Sequence, residues 1–218
     1  MRRSMPLLII LGILVILLFW GCGQYNGLVV KDENVKKVWN NVQTQYQRRA
    51  DLIPNLVRTV QGEANFERGT LNDVINARAR ATSMQVSPEN LTPENIERFQ
   101  QAQNQLSGAL SRLLVTVEQY PNLRANEAFR GLQAQLEGTE NRIATARNDF
   151  NDAVQDYNQS VRRFPAAMFA GAMGFHPRQG FTADPGAQNA PRVDFDNGAT
   201  SAPRTAPAPQ VQMDSVKR

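Results

Sequence analysis

Two patterns of apolar residues divide this chain. From Met5 to Cys22 there is no charged residue, whereas from Val35 onward apolar residues recur at alternating steps of three and four. The first pattern, PLLIILGILVILLFWGCG, is apolar on all sides, and a run of about 18 such residues is near the lower length that crosses a bilayer core as a helix. The second pattern predicts helices that each bury one stripe. The first series reads Val35, Val38/Trp39, Val42, Tyr46, Ile53, Leu56, Val60, with Arg49 in a slot where an apolar residue is expected. Leu71 and Val74/Ile75 mark a second stretch ending in ARARATS. Thr92, Pro93 and Glu94 supply an N-cap, a first-turn proline and a first-turn charge for a third. That helix carries Ile96, Phe99, Leu106, Leu110, Leu113, Val117 and Tyr120, with Gln103 in one core slot, and YPN (120–122) breaks it. The last helix has the most regular seam: Phe129, Leu132, Leu136, Thr139, Ile143, Ala146, Phe150, Val154, Tyr157, Val161, close to a coiled-coil heptad.

The fold class that follows is all-α. An N-terminal transmembrane helix (residues 1–25) precedes an antiparallel bundle of long helices (26–182) that bury their stripes against one another. The polar faces, such as QQAQNQ (100–105) and NDFNDAVQDYNQS (148–160), are expected to face solvent. From Ala183 the chain is rich in Ala, Pro, Gly and small polar residues, which predicts a disordered C-terminal tail over 183–218.

RRADLIPNLV (48–57) interrupts this regularity, because a proline inside a helix costs about 3 kcal/mol. A capped restart accounts for it. Asp51 caps a new helical start, and Pro54 falls in the first turn, where its missing N–H has no intrahelical partner to lose. Arg49 then bends outward or pairs with an acid such as Asp51. A recognition site formed by Arg48, Arg49, Asp51 and Pro54 is the second reading.

Charge and composition narrow the function. Lys and Arg total 24 against 20 Asp and Glu, a formal net charge of +4. The arginines are dispersed among acids, the pattern of solvated helix faces and not of a nucleic-acid surface. Cys22 is the only cysteine, so an internal disulfide and a zinc site of several cysteines are excluded. Gly21-Cys22 fits the end of a lipobox, which makes Cys22 a candidate for lipidation. Phe19 and Trp20 depart from that motif and favour an uncleaved anchor, with a plain secretory signal as the third reading. Arg2 and Arg3 lie closer to the apolar run than Lys31, Lys36 and Lys37. This places the amino terminus in the cytoplasm and the bundle outside it, as a single-pass membrane protein.

Recognisable chemistry is missing: there is no Gly-rich phosphate loop, no HExxH and no GxSxG. The lone His176 precedes a proline and reads as a surface or packing residue. Asp149, Asp152 and Asp156 read as a solvated acidic face. No catalytic activity, cofactor, metal or small-molecule substrate is expected. RRFPAAMFAGAMGFHPRQGF (162–181) reads as a flap packed on the bundle, with Ala166 to Met173 forming two helical turns and Gly174 just past their end. Phe164, Pro165, Phe169 and Phe175 are its candidate contacts with a partner or with lipid.

The segment YNGLVVKDENVKKVWNNVQTQYQRRADLIPNLVRTVQGEANFERGTLNDVINARA (25–79) resembles the signature of the LemA family, most specifically in RRADLIPNLV. VRRFPAAMFAGAMGF (161–175) is similar to the family's second motif, and the resemblance runs from about residue 7 to about residue 182. It implies a membrane helix followed by an antiparallel helical bundle, with no known enzymatic activity, cofactor or metal. It also implies an extracellular amino terminus, opposite to the charge-based orientation. GCG after the apolar run and the long tail depart from common members. The function expected is a membrane-anchored scaffold or interaction protein of the bacterial cell envelope, held by lipid at its N-terminal helix and engaging a protein partner. The alternative is an accessory factor or weakly recognisable hydrolase acting on envelope proteins.

Overall fold

The computed structural model describes residues 5–63 and 66–182. The expected disordered tail, 183–218, lies outside them. Five helices follow in order: α1 (Met5–Gln61), α2 (Arg68–Ser83), α3 (Pro93–Val117), the short α4 (Pro121–Ala125) and α5 (Glu127–Arg162). Single 3-10 turns at Pro88–Asn90 and Ala166–Met168 complete the set, and no strand occurs among the described residues.

α1 has 57 residues and runs without interruption from the apolar segment into the bundle, a rod of about 85 Å at 1.5 Å per residue. Among the described residues no helix is long and apolar enough to cross a membrane. Of the expected 1–25 anchor, residues 1–4 and the side chains at 5–10, 13, 16–18 and 20 lie outside the described residues. Leu11, Leu14, Val15 and Phe19 are exposed.

Local signals start the later helices where the sequence places them. Thr92 Oγ1 accepts from Asn95 N at 3.3 Å, with Pro93 and Glu94 in the first turn of α3. Asn126, which the seam pattern does not single out, caps α5 through its Oδ1, which accepts from Ala128 N (2.8 Å) and Phe129 N (3.3 Å).

The long helices pack antiparallel, α1 on α5 and α2 on α3. The pairs Lys31–Asp156 (2.6 Å) and Arg49–Glu140 (2.8 Å) set the register of α1 against α5. Buried stripes form two apolar clusters. One gathers Val35, Trp39, Val42 and Tyr46 of α1 with Phe99, Phe150 and Tyr157. The other gathers Ile53, Leu56 and Val60 with Val74, Leu106, Leu113 and Phe129. Trp39 centres the first: its ring meets Phe99, Phe150 and Phe181 at 5.2–5.8 Å, and its Nε1 donates to Val86 O at 2.9 Å.

The polar faces of α3 and α5 are not wholly solvent-facing, contrary to expectation. Gln100 is buried, while Gln103 fills the core slot that the spacing assigns to it. Asn151 and Asn158, two turns apart on α5, clamp the extended segment after the flap. Asn158 accepts from Arg178 N (2.8 Å) and donates to Arg178 O (2.7 Å), and Asn151 accepts from Phe181 N (2.8 Å) and donates to Phe181 O (3.3 Å). Each carboxamide thereby satisfies both backbone groups of one strap residue, as a neighbouring β-strand does. Gly180 is required here, because a Cβ would stand 2.5 Å from Asn151 Oδ1. The two helical turns expected over Ala166–Met173 are corrected to the 3-10 turn and a series of tight turns. These close when Phe175 N donates to Ala170 O at 2.9 Å, with Gly174 at φ +85, a conformation that glycine adopts without strain.

Trp39→Ala is expected to destabilise the bundle by about 3–5 kcal/mol, the usual cost of emptying a buried aromatic site. Urea denaturation followed by circular dichroism measures it, and a loss below about 1 kcal/mol contradicts the central role given to this ring.

Candidate functional site

The RRADLIPNLV segment sits where the two apolar clusters meet, and it is not a restart. α1 passes through Pro54 without a break. Asp51 is exposed and accepts a hydrogen bond from Gln47 Nε2 at 2.8 Å, so it caps nothing. Pro54 lacks the N–H that would bond the carbonyl four residues earlier, which belongs to the buried Ala50. Arg78 of α2 supplies the missing donor, its Nε reaching Ala50 O at 2.8 Å. The helix therefore continues because a neighbouring helix satisfies the group that proline orphans.

Arg49 points inward and does not bend out; it pairs with an acid, as one of the two expectations had it, but the acid is Glu140 of α5 and not Asp51. It is only 1% exposed. Its Nη1 donates to Ser107 Oγ (2.9 Å) and Glu140 Oε1 (2.8 Å), and its Nη2 to Gln103 Oε1 (2.6 Å) and Gln103 O (3.4 Å). The guanidinium lies 5.0 Å from the centre of the Tyr46 ring. Its Nε has no acceptor. Gln103 Nε2 in turn donates to Ala81 O at 3.3 Å, which ties in the end of α2. Thr139 of the α5 seam is buried at the same level and bonds its own helix, at Gln135 O (2.8 Å). Arg49, Gln103 and Thr139 thus form a polar layer between the apolar clusters. Burial, the largest cause, raises the Tyr46 hydroxyl above the usual tyrosine pKa, against the opposing pull of Arg147 and Arg49.

Outside this layer, a cleft of about 540 Å³ opens between α1 and the end of α2. Buried Tyr46, Phe99 and Gln103 form its floor, and exposed Asn40, Thr44, Gln47, Arg48, Asp51 and Gln85 its rim. The segment is thereby split by function. Arg49 and Pro54 belong to the framework, while Arg48 and Asp51 face the cleft. The clues that sequence reading passed over were the amides at Gln43, Gln47 and Gln85, which gain meaning only once α2 lies beside α1.

The remaining candidates lie elsewhere. Cys22 is exposed on α1. Phe164 is exposed and Pro165 half-buried beyond the end of α5. Phe169 and Phe175 are half-buried against the first cluster, so they act mainly as packing residues. His176 contributes its carbonyl, which accepts from Tyr157 OH at 3.1 Å. Asp156 pairs with Lys31, and among the described residues no group of three acidic, His or Cys side chains could hold a metal.

These observations define an all-helical bundle keyed by a buried arginine layer, with an amide-rimmed cleft beside it. The LemA family profile matches residues 38–195, and the chain belongs to the LemA family. Magnetosome protein MamQ 2 of Paramagnetospirillum magneticum is 25% identical over 179 residues, covering 74% of this chain and 66% of the relative. Magnetosome protein MamQ of Magnetospirillum gryphiswaldense is 25% identical over 171 residues, covering 70% and 62%. Protein LemA of Metamycoplasma hominis is 21% identical over 142 residues, covering 65% and 61%. The chain spans just under two thirds of the length of these relatives.

Two double-variant cycles test the site. Arg78→Ala is expected to cost about 1–3 kcal/mol, the cost of an unsatisfied buried acceptor. In a Pro54→Ala background it should cost clearly less, since residue 54 then supplies its own N–H to Ala50 O; equal costs would remove the assigned role of Arg78. Separately, Glu140→Leu leaves the Arg49 charge without its counter-ion and is expected to destabilise by about 3 kcal/mol. The double variant Arg49→Met/Glu140→Leu should recover part of that loss in the same denaturation assay, and strict additivity of the two single changes contradicts the coupling.

Proposed function

We propose that this protein is a membrane-anchored helical-bundle interaction protein of the bacterial cell envelope, which seats a polypeptide segment of a partner in the cleft between α1 and α2. The observation that carries the reading is the division of labour within RRADLIPNLV: Arg49 and Pro54 are consumed by the framework, while Arg48 and Asp51 stand exposed on the cleft rim. Two charges of opposite sign, flanked by carboxamides and hydroxyls over an aromatic floor, suit a polypeptide. Its peptide groups need both donors and acceptors, and its side chains need apolar contact. No cofactor, nucleic acid or small-molecule substrate enters this reading. Glu140, the carboxylate that meets the buried polar layer, is engaged by Arg49.

Anchoring is supported by the uncharged 6–23 run and by the continuity of α1 through Gly21, Cys22 and Gly23 into the bundle, which favours the uncleaved form over lipidation at Cys22. Arg2 and Arg3 beside the run favour a single-pass arrangement with the bundle on the non-cytoplasmic side.

A photo-crosslinking amino acid at Gln47, in the full chain expressed in cells, is expected to capture a discrete protein partner. Arg48→Glu with Asp51→Lys should abolish that capture while changing stability by less than about 0.5 kcal/mol, as exposed substitutions do. Unchanged capture by the charge-reversed protein removes the cleft from the reading.

A further inference from the structure

The end of the bundle next to the apolar run carries a second set of exposed features. Lys31 of α1 lies beside Asp156 of α5. Because the helices are antiparallel, Arg162, six residues beyond Asp156, stands level with Tyr25, six residues before Lys31. The ring contact of Tyr25 with Phe175, 5.5 Å between centroids, confirms that the flap wraps this level. The apolar run ends at Gly23, about 3 Å along the axis from Tyr25. Phe164 (81% exposed) and Met168 (77% exposed) project beyond the end of α5 on this side.

The distribution of exposed apolar residues is lopsided. Between residues 25 and 182 the large exposed hydrophobic side chains are Tyr25, Val30, Phe164, Met168 and Met173, all at this end, together with Ile75 and Val115 elsewhere. Single exposed residues need no explanation, but a cluster does. Charge at the same end is predominantly positive, with Lys31, Lys36, Lys37, Arg162, Arg163 and Arg178 against Asp32, Glu33 and Asp156. From Tyr157 to Ala183 the chain carries no carboxylate, while Arg162 and Arg163 are exposed. The nearby Asp32, Glu33 and Asp156 are paired with Arg178 (2.7 Å), Lys36 (2.7 Å) and Lys31 (2.6 Å).

We propose that this end is a membrane-facing collar: Phe164 and Met168 dip into the boundary between headgroups and acyl chains, while Arg162 and Arg163 engage anionic headgroups. The occupant is the same bilayer that holds residues 6–23, so the inference rests on the anchored reading. Aromatic and thioether side chains beside arginines are the chemistry that favours this depth, where an apolar body and a charged head are both accommodated. With α1 continuous, the collar gives the bundle a second foot on the membrane surface, so the rod cannot swing freely about its anchor.

The test places an environment-sensitive fluorophore on single cysteines of the full chain in vesicles of phosphatidylethanolamine and phosphatidylglycerol. The sites are native Cys22 and, in a Cys22→Ser background, Phe164→Cys, Met168→Cys and the far-end control Ser111→Cys. Expected are blue-shifted emission at 164 and 168 and quenching by a spin label at headgroup depth, with no change at 111. Replacing phosphatidylglycerol by phosphatidylcholine, or Arg162→Gln with Arg163→Gln, should weaken the quenching at 168. Quenching at Cys22 with none at 164 and 168 overturns the collar and spares the anchor. No quenching at Cys22, in protein that fails to float with vesicles, overturns both. A blue shift at 168 that ignores the lipid quencher and grows with protein-to-lipid ratio assigns the patch to a second copy and overturns the collar.

Discussion

The buried guanidinium of Arg49 is the constraint on which the bundle's register depends. A charge 1% exposed in a helical core is tolerable only where several acceptors converge on it. Gln103 and Ser107 from α3 and Glu140 from α5 do so together. Sliding either helix by one turn would set the guanidinium against Ile143, Leu106 or Leu136, side chains with nothing to accept its protons. Apolar stripes of leucine, isoleucine and phenylalanine are more forgiving, because many offsets bury similar area. The polar layer therefore chooses among packings that the apolar clusters would allow, the role a single polar residue takes in a coiled-coil seam.

Pro54 belongs to the same arrangement. It lies one turn beyond Arg49 and frees Ala50 O, which Arg78 then takes. That bond tethers α2 to α1 beside the layer, while Gln103 holds the end of α2 through Ala81 O. The cleft is a consequence: α2 is fixed at two points close to Arg48 and Asp51, and the space between the tethers stays open to solvent. The family's most distinctive motif thus combines two framework residues that face inward with two charged residues left at a rim.

At the other end of the bundle, the strap after the flap is held by side-chain amides in place of a strand. Asn151, Asn158 and Gln100 bond its backbone, Arg178 reaches Asp32, and Phe181 closes over Trp39 and Phe150. Burying Phe181 secures the segment that leads back from the flap, and so fixes where Phe164 and Met168 are displayed.

Spacing along the chain alone determined the helices and their buried stripes. Each is a local property, with apolar residues every three or four positions and caps such as Thr92 satisfying N–H groups within one turn. The heptad seam of α5 was legible for the same reason, down to Thr139 within it. What the tertiary structure decided were the polar positions. The direction of Arg49 depends on acceptors 54 to 91 residues away in sequence, and the fate of Pro54 on an arginine that reaches Ala50 O from 28 residues beyond Ala50. The amides of α3 and α5 look like solvated surface until the strap lies across them. Periodicity reports which face is apolar. A buried polar group is allowed only by the partners that fold against it, and those partners come together only when the helices pack.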